Sequence, residues 1–258
     1  MKTVNKMIVS IFLAGLGAIL VSSAITWNGL ATVLMLRSVE AQTIKMPLYK
    51  PPLPSAPLRR IGAGTRGPEN ATHAVFALVP RKDIGLTLQE QPTLYWYLSQ
   101  ETTYPIEVSV IRGKGIKSSM VKEWRLNLPL QAGVHPIQLT EHDVRLAPGV
   151  LYQWSVALIR DRDDRSQDTV SGGFMRRIDP NDLPAASREE LKQLAVASTT
   201  DTPQIYVRAG IWYDAVSTLS ELITASPQET ALRELRASLL EQPTVQLPDV
   251  AAYDRQHK

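Results

Sequence analysis

Few side chains capable of catalysis lie at spacings that would bring them together. The chain has four histidines: His73, His135, His142 and His257. We expect them at a strand start, in two loops and near the C-terminus, and no two have the spacing of metal ligands. Ser155 and Ser171 fall inside predicted strands, whereas a hydrolase serine of the Gly-x-Ser-x-Gly kind lies on a tight turn. We therefore expect no catalytic residues, no metal and no cofactor.

Two other motifs suggest ligands, but each lacks its structural context. Residues 62–67 fit the pattern G-x-G-x-x-G, which in dinucleotide sites follows a strand and opens a helix. Here a proline-rich segment precedes the motif and Pro68 follows it, so we expect no nucleotide. Four aspartates lie close together: Asp161, Asp163, Asp164 and Asp168. Neighbouring arginines offset their charge and Gly172 stands where a calcium-closing Glu would be, which favours a surface loop over a calcium site.

Aromatic side chains alternate along the predicted strands and could bind a sugar or a peptide. Alternation assigns Trp96, Trp124 and Trp154 to the core, and Tyr95 and Tyr97 to the opposite face. On that face the two tyrosines either bind a ligand or pack against the C-terminal helices. We favour packing, because an amphipathic helix in the C-terminal region needs an apolar partner surface.

The N-terminal residues have the composition of an export signal. Two lysines precede the apolar run at residues 7–35, and the small residues Val39 and Ala41 fit a cleavage site. We predict a signal peptide at residues 1–41. Cleavage after Ala24 and an uncleaved N-terminal membrane anchor are the alternatives, although polar residues interrupt the run. The chain has no cysteine, which excludes disulfides, thiolate metal sites and lipid attachment and favours a bacterial envelope.

The charge balance argues against nucleic acid as a partner. Of the 28 basic and 25 acidic residues, the first 41 positions contain three and one, which leaves 25 and 24 afterwards. A nucleic-acid-binding surface needs a sustained excess of Lys and Arg. We therefore predict no nucleic-acid binding and, after signal cleavage, no membrane attachment.

The remaining chain divides into segments of different pattern. Residues 42–68 are rich in Pro and Gly and predict an extended linker. Residues 69–180 contain short alternating runs bounded by turn residues, which predict an antiparallel immunoglobulin-like β-sandwich. Residues 181–242 predict a helical appendage, and residues 243–258 predict a polar tail. The expected fold class is α+β.

The helical appendage is organised around residues 205–227. Their apolar side chains recur at helical spacing, and Gly210 divides two helices. Trp212 is too large to remain in water beside several aliphatic neighbours. We therefore expect this segment to dock on the β-sandwich.

Two further helices are predicted around this segment. Ser187, followed three residues later by Glu190, fits a capping box and predicts a helix over 188–196. A leucine stripe predicts another helix over 228–242, which Pro243 ends.

The organising segment also resembles part of a known repeat. The matching residues are Tyr206, Gly210, Trp212, Ala215, Leu219 and Pro227. They resemble the later part of a tetratricopeptide repeat, in which a small residue lets paired helices approach and a proline closes the unit. Because the match covers one repeat, we expect the hairpin to pack on the sandwich instead of forming a concave binding surface.

The order of motifs along the chain resembles a known family. The motifs lie at residues 60–67, 77–80, 92–97, 151–154, 163–166 and 210–215. Together they resemble the bacterial family called domain of unknown function 928, whose members are typically exported and have no established activity. The resemblance implies architecture and location only. The residues we single out as structural or interaction residues are Trp212, Tyr213, Asp214, Tyr206, Tyr95, Tyr97 and Arg66.

One departure from the family pattern concerns a covalent link. Many relatives carry one cysteine near the position of Glu69 and another near the position of Arg160. An ion pair between these two residues could replace the disulfide that the resemblance implies, although an ion pair is much weaker.

These observations favour a non-enzymatic protein, periplasmic or secreted, that acts in protein interaction. The expected partner is another envelope or secreted protein. The alternative is a carbohydrate-binding or hydrolytic protein that uses the Tyr95 and Tyr97 face, with acids such as Glu101 or Glu107. Glycosidases need two carboxylates at a defined separation in a cleft, so whether helices cover that face decides between the two.

Overall fold

A computed structural model describes residues 45–54, 58–62 and 73–257. All of them belong to one compact unit, Gln42–Lys258. The predicted signal peptide with its alternative cleavage sites lies outside these ranges, as do Arg66 and Glu69.

Two sheets make up the β-rich part of the described residues. The strands are β1 (Val75–Ala77), β2 (Gly85–Thr87), β3 (Thr93–Leu98), β4 (Ile106–Arg112), β5 (Ser119–Arg125), β6 (Gly133–Gln138), β7 (Leu151–Leu158) and β8 (Thr169–Arg177). One sheet has the order β1-β3-β6 and is antiparallel. The other has the order β2-β8-β7-β4-β5 and is antiparallel except for the parallel pair β2 and β8. The alternating pattern does not predict β2, because three residues that include Gly85 are too few to show a period.

The helices follow the strands, which confirms the α+β class. They are α1 (Ala185–Lys192), α2 (Thr202–Ala209), α3 (Trp212–Ala225), α4 (Thr230–Leu240) and α5 (Pro248–Gln256). The predicted break at Gly210 is confirmed: this residue ends α2 in the left-handed conformation, with φ of 77°, which glycine adopts without steric cost. Among the described residues the longest helix is α3, with 14 residues, and none of their helices is long and apolar enough to cross a membrane.

The start of α1 differs from the prediction. The helix begins at Ala185, after Pro184, and no side chain caps it. Ser187 therefore lies in the first turn and is buried. The capping-box prediction was wrong: the helix begins directly after Pro184, three residues before the predicted start, and proline is common at helix starts.

The core confirms two of the three tryptophan predictions. Trp96 and Trp154 are completely buried. Trp124 is only partly buried, because β5 is the edge strand of its sheet and its side chain stacks on the His142 ring at 4.0 Å between ring centroids. Alternation assigns a side chain to a face, but it does not tell whether that face is covered.

The predicted linker is extended but is part of the fold. In its described residues it has no helix or regular strand, apart from a single bridge between Ile61 and Gly172. Nevertheless Tyr49 is completely buried. Its ring packs edge-on with the Trp212 ring, and the two ring centroids are 4.9 Å apart. The Tyr49 amide also donates to Gln242 Oε1 at 2.7 Å. These contacts fix the segment against α3 and the residues after α4.

The predicted polar tail was wrong, since α5 occupies most of it. Val250 and Ala251 are completely buried. Asp254 is also completely buried, and its carboxylate forms an ion pair with Arg236 of α4. The segment appears polar in sequence because Asp254, on the buried face of α5, is charged. That charge is neutralised by Arg236 inside the fold.

Candidate functional site

Trp212 and Tyr213 connect the start of α3 to the sheets. Trp212 Nε1 donates to the carbonyl of Leu78 at 2.9 Å. The Tyr213 hydroxyl accepts from Trp154 Nε1 at 2.8 Å and donates to the carbonyl of Phe174 at 3.1 Å. Both side chains are at most 2% exposed. They hold the helix on the sheets, as expected for docking residues, and they have no surface on which to bind a partner.

Asp214 is a buried carboxyl group next to β2. Its carboxylate accepts from the Leu88 amide at 3.2 Å and from Gln89 Nε2 at 3.5 Å. Loss of solvent raises its pKa to about 6, although the hydrogen bonds from Thr87, Leu88 and Gln89 lower it. The half-buried Tyr206 lies close enough that the Asp214 charge adds to the effect of burial and raises the tyrosine pKa. A shifted pKa can mark a catalytic acid, but Asp214 is only 5% exposed.

The Tyr95 and Tyr97 face is covered by helices, as we favoured from the sequence. The two residues are 7% and 6% exposed. Tyr95 lies against Ser217 and Glu221 of α3, and the Tyr97 ring is 5.1 Å from that of Tyr253 in α5. An open sugar-binding face is therefore absent at these two tyrosines.

The acids proposed for hydrolysis do not form a pair on that face. Glu107 is nearly buried, and its carboxylate binds Arg165 Nη2 at 2.9 Å and lies 3.8 Å from Arg125 Nε. Glu101 is exposed in the turn after β3. Glu107 lies on β4, in the other sheet, and its carboxylate is held by two arginines, so it does not share that face with Tyr95 and Tyr97.

The aspartate-rich turn between β7 and β8 is held by its own hydrogen bonds. Asp161 accepts from the Asp163 amide at 2.8 Å. Asp164 accepts from the Ser166 amide and caps a short 3₁₀ turn. Asp168 forms an ion pair with Arg165. In the described part of the chain, no group of three or more His, Asp or Glu residues could hold a metal ion.

A cavity of about 390 Å³ lies beside Tyr95, at the junction of β6 with α3, α4 and α5. Its lining residues are Tyr95, Ala132, Gly133, Val134, His135, Pro136, Ser220, Ile223, Thr224, Pro227, Arg233, Arg236 and Tyr253. The lining contains two arginines and no carboxylate. We refer to it as the α4 cavity.

The two arginines of the α4 cavity differ in their partners. Arg236 is 3% exposed and donates to both carboxylate oxygens of Asp254, at 2.8 and 2.6 Å, and to Ser220 Oγ at 3.0 Å. Arg233 forms no ion pair with any described residue, and its Nε is buried without a hydrogen-bond partner there. His135 adds no charge at neutral pH, because burial lowers its pKa. The cavity therefore carries about one uncompensated positive charge.

The sequence contains a signal for this cavity that the helix pattern alone does not interpret. The predicted leucine stripe of α4 places Arg236 among Leu232, Leu235 and Leu239 on one face. A charged residue on an apolar face indicates a buried partner or a site. Its partner, Asp254, lies in the segment expected to be a tail, so the pair cannot be recognised from the sequence.

A second candidate surface is the outer edge of β5. This strand pairs with β4 alone among the described strands, and every residue in it except Trp124 is exposed. The turn that connects the two strands carries Ile116, whose side chain is fully exposed. Apolar groups and an open edge at one place are typical of an interaction surface.

Comparison with known proteins identifies the family and assigns no function. No curated protein matches the chain. The family model covers residues 61–254, from the residue that bridges to β8 to the buried aspartate of α5. The chain thus belongs to the family described as Domain of Unknown Function (DUF928).

Proposed function

We propose that the protein is an exported, non-enzymatic component of the bacterial envelope that binds a partner protein along the edge of β5. In this mode an extended segment of the partner adds a strand to the sheet. The observation that carries the proposal is a seven-residue edge strand with an exposed side chain at almost every position.

Main-chain groups on β5 are available for such a strand. The Leu126 amide donates to the carbonyl of Ile106 at 2.9 Å, so this pair is directly hydrogen-bonded. Because hydrogen-bonded and non-bonded pairs alternate in antiparallel sheets, Trp124 and Lys122 also bond to β4. Glu123 and Arg125 therefore direct their amide and carbonyl groups away from β4.

The surroundings of the edge favour an acidic partner segment. The exposed charged residues at the β4–β5 hairpin are five cations and one anion: Arg112, Lys114, Lys117, Lys122 and Arg125, with Glu123. The exposed apolar residues beside them are Ile116, Met120 and Val121. A partner strand with acidic and apolar residues would match this surface, and the charges would accelerate its association.

The rest of the fold supports a binding role more than a catalytic one. Ala77 N donates to Ser171 Oγ at 2.9 Å between the two sheets, a contact that supports an immunoglobulin-like arrangement. The tetratricopeptide-like pair α2 and α3 packs on the sheets through Trp212 and Tyr213, which supports a structural role for the hairpin. Hydrolysis or sugar binding at Tyr95 and Tyr97 has less support, since helices cover both rings.

A photo-crosslinking experiment in the native host tests the proposal. We would place benzoylphenylalanine at Met120 in the full chain and, as a control, at Val196, which is 89% exposed in the helical region. We expect a discrete protein adduct from position 120 only. Glu123→Pro removes an outward amide without breaking the β4 ladder and should abolish the adduct, whereas Glu123→Ala should retain it.

The outcomes distinguish specific binding at the β5 edge from general contact with the protein surface. Equal adducts from positions 120 and 196, or no adduct from position 120, would contradict the proposal. Retention of the adduct in Glu123→Pro would show that the contact does not use the strand edge.

A further inference from the structure

We propose that the α4 cavity binds an organic carboxylate with an apolar body, and that the guanidinium of Arg233 binds the carboxylate. This inference is independent of the β5 edge and does not rest on its role. It depends on the charge, the walls and the size of the cavity.

The charge of the cavity selects an anion. Arg236 is neutralised by Asp254 through two hydrogen bonds, and both side chains are buried and fixed. Arg233 lies one helical turn earlier on the same face of α4, with no ion-pair partner among the described residues. Arg233 is half-buried and lines the cavity. A guanidinium that lines a cavity without a carboxylate partner favours an anionic ligand there.

The geometry of a guanidinium favours a carboxylate over other small anions. Its planar set of donors can bind two oxygens side by side, which gives both energy and orientation. The Thr224 hydroxyl, which donates to the Ser220 carbonyl at 3.0 Å, keeps acceptor capacity on the wall beside it. That hydroxyl can accept from a ligand that carries a donor next to its acid group.

The walls of the cavity require an apolar body on the ligand. Val134, Ile223 and Pro227 contribute aliphatic surface, and the Tyr95 and Tyr253 rings contribute aromatic surface. The Tyr253 ring is held in place by stacking on His257 at 3.9 Å and by the contact with Tyr97. Rigid aromatic walls of this kind bind a ring or branched side chain without losing conformational freedom.

The size of the cavity sets the range of ligands. A volume of about 390 Å³ lies at the lower end of the range of small-molecule pockets, about 300–1,000 Å³. It accommodates a free aromatic acid or the last residue of a peptide with its terminal carboxylate. The two sources share the same chemistry, and the experiment distinguishes them.

Matched acids and amides test the proposal by titration calorimetry on the folded chain. The probes are benzoate against benzamide, and acetyl-Ala-Ala-Phe with a free carboxylate against the same peptide with a C-terminal amide. We expect the acids to bind and the amides to bind about tenfold or more weakly, because they lack the charge that Arg233 recognises. Tighter binding of the peptide acid than of benzoate would identify a peptide C-terminus as the source of the carboxylate. Tighter binding of benzoate would identify a free acid as the source.

Three variants assign the effect to Arg233. Arg233→Met removes the charge but keeps a long side chain. It should weaken the binding of the acids about tenfold or more without further weakening the binding of the amides. Arg233→Lys retains a charge without the planar donors and should give intermediate affinity. Arg162→Met, on the exposed turn between β7 and β8, should bind like the unmodified protein.

The proposal is overturned by several results. They are equal affinity for acid and amide, unchanged affinity in Arg233→Met, and no binding of either acid at about 1 mM. Failure here leaves the crosslink from position 120 unaffected, so the two proposals fail separately.

Discussion

At the scale of single residues, Asp214 links stability to pH in an unusual direction. Its pKa is raised from 3.8 to about 6 by burial, and it has hydrogen-bond donors but no cationic partner among the described residues. Between these values the folded state holds a proton that the unfolded state has released. Stability from this group is therefore complete below about pH 4 and is lost as the pH rises through about 6.

Comparison with Asp214→Asn tests this prediction, because the amide keeps the shape and cannot ionise. We expect the unfolding free energy of the unmodified protein, relative to that of the variant, to fall by about 2 kcal/mol between pH 4 and pH 7. Urea unfolding at several pH values measures it, and using the difference cancels the other carboxylates. A difference that does not change with pH, or that rises, would contradict the assignment.

The sequence predicted burial correctly for residues whose own size and neighbouring pattern require an apolar environment. The burial of Trp212 follows from its size on an apolar face. The packing of Tyr95 and Tyr97 follows from the need of the amphipathic helix for an apolar partner surface. An ion pair between Glu69 and Arg160 stays an option that only the family resemblance suggests, since Glu69 lies outside the described residues. Arg160 Nε and Nη2 are buried without hydrogen-bond partners in the described part of the chain.

At the scale of elements, Gly210 couples the α2–α3 break to the N-terminal segment. With φ of 77° it would strain any other residue, by about 1–2 kcal/mol. A Cβ atom there would also lie 2.5 Å from Pro52 Cδ and 2.8 Å from the carbonyl oxygen of Lys50. The glycine therefore allows both the turn and the close packing of the 50–52 segment.

Gly210→Ala should therefore lose more stability than a glycine substitution with backbone strain alone. Gly149 is the matched control, since its φ is 73° and a Cβ would meet nothing within 4 Å. We expect Gly149→Ala to lose about 1–2 kcal/mol and Gly210→Ala to lose more. Hydrogen exchange at the Tyr49 amide, which donates to Gln242, should accelerate in Gly210→Ala only.

Equal losses of stability in the two variants, with unchanged exchange at Tyr49, would contradict the coupling. Faster exchange at Tyr49 in both variants would show a general loosening instead of a local clash.

Elements with a strong local period were predictable, and those whose order depends on distant contacts were not. The alternation of β7 and the helical face of α3 appear directly in the sequence. β2 has three residues and is ordered by parallel pairing with β8. α5 is ordered by the ion pair between Asp254 and Arg236, a contact between residues 18 positions apart that no local pattern reveals.

At the scale of the whole molecule, the candidate surfaces combine parts that sequence reasoning treats separately. The α4 cavity takes its walls from two strands and three helices, including α5, which the sequence predicted as a tail. The β5 edge could be predicted as a strand, but not as an edge, because strand order depends on long-range pairing. Both candidate surfaces therefore depend on tertiary contacts between distant segments more than on any single sequence motif.

The segment before β1 is also held by contacts with residues far away in the sequence. Tyr49 is completely buried against Trp212, and the Met46 amide donates to Ser238 Oγ at 3.1 Å. Signal cleavage after Ala41 would leave this packed segment on the mature protein. We predict that a chain beginning at Gln42 unfolds at the same urea concentration as one beginning at Ile25, whereas a chain beginning at Leu53 loses about 3–5 kcal/mol or more.

Two substitutions in the chain that begins at Gln42 provide the matched control. Tyr49→Ala should reproduce most of the loss, because it empties the space beside Trp212. Tyr49→Phe should cost little, since the Tyr49 hydroxyl is buried and has no hydrogen-bond partner in the described ranges. If the chain beginning at Leu53 unfolded at the same urea concentration as that beginning at Gln42, the segment before β1 would be a linker after all.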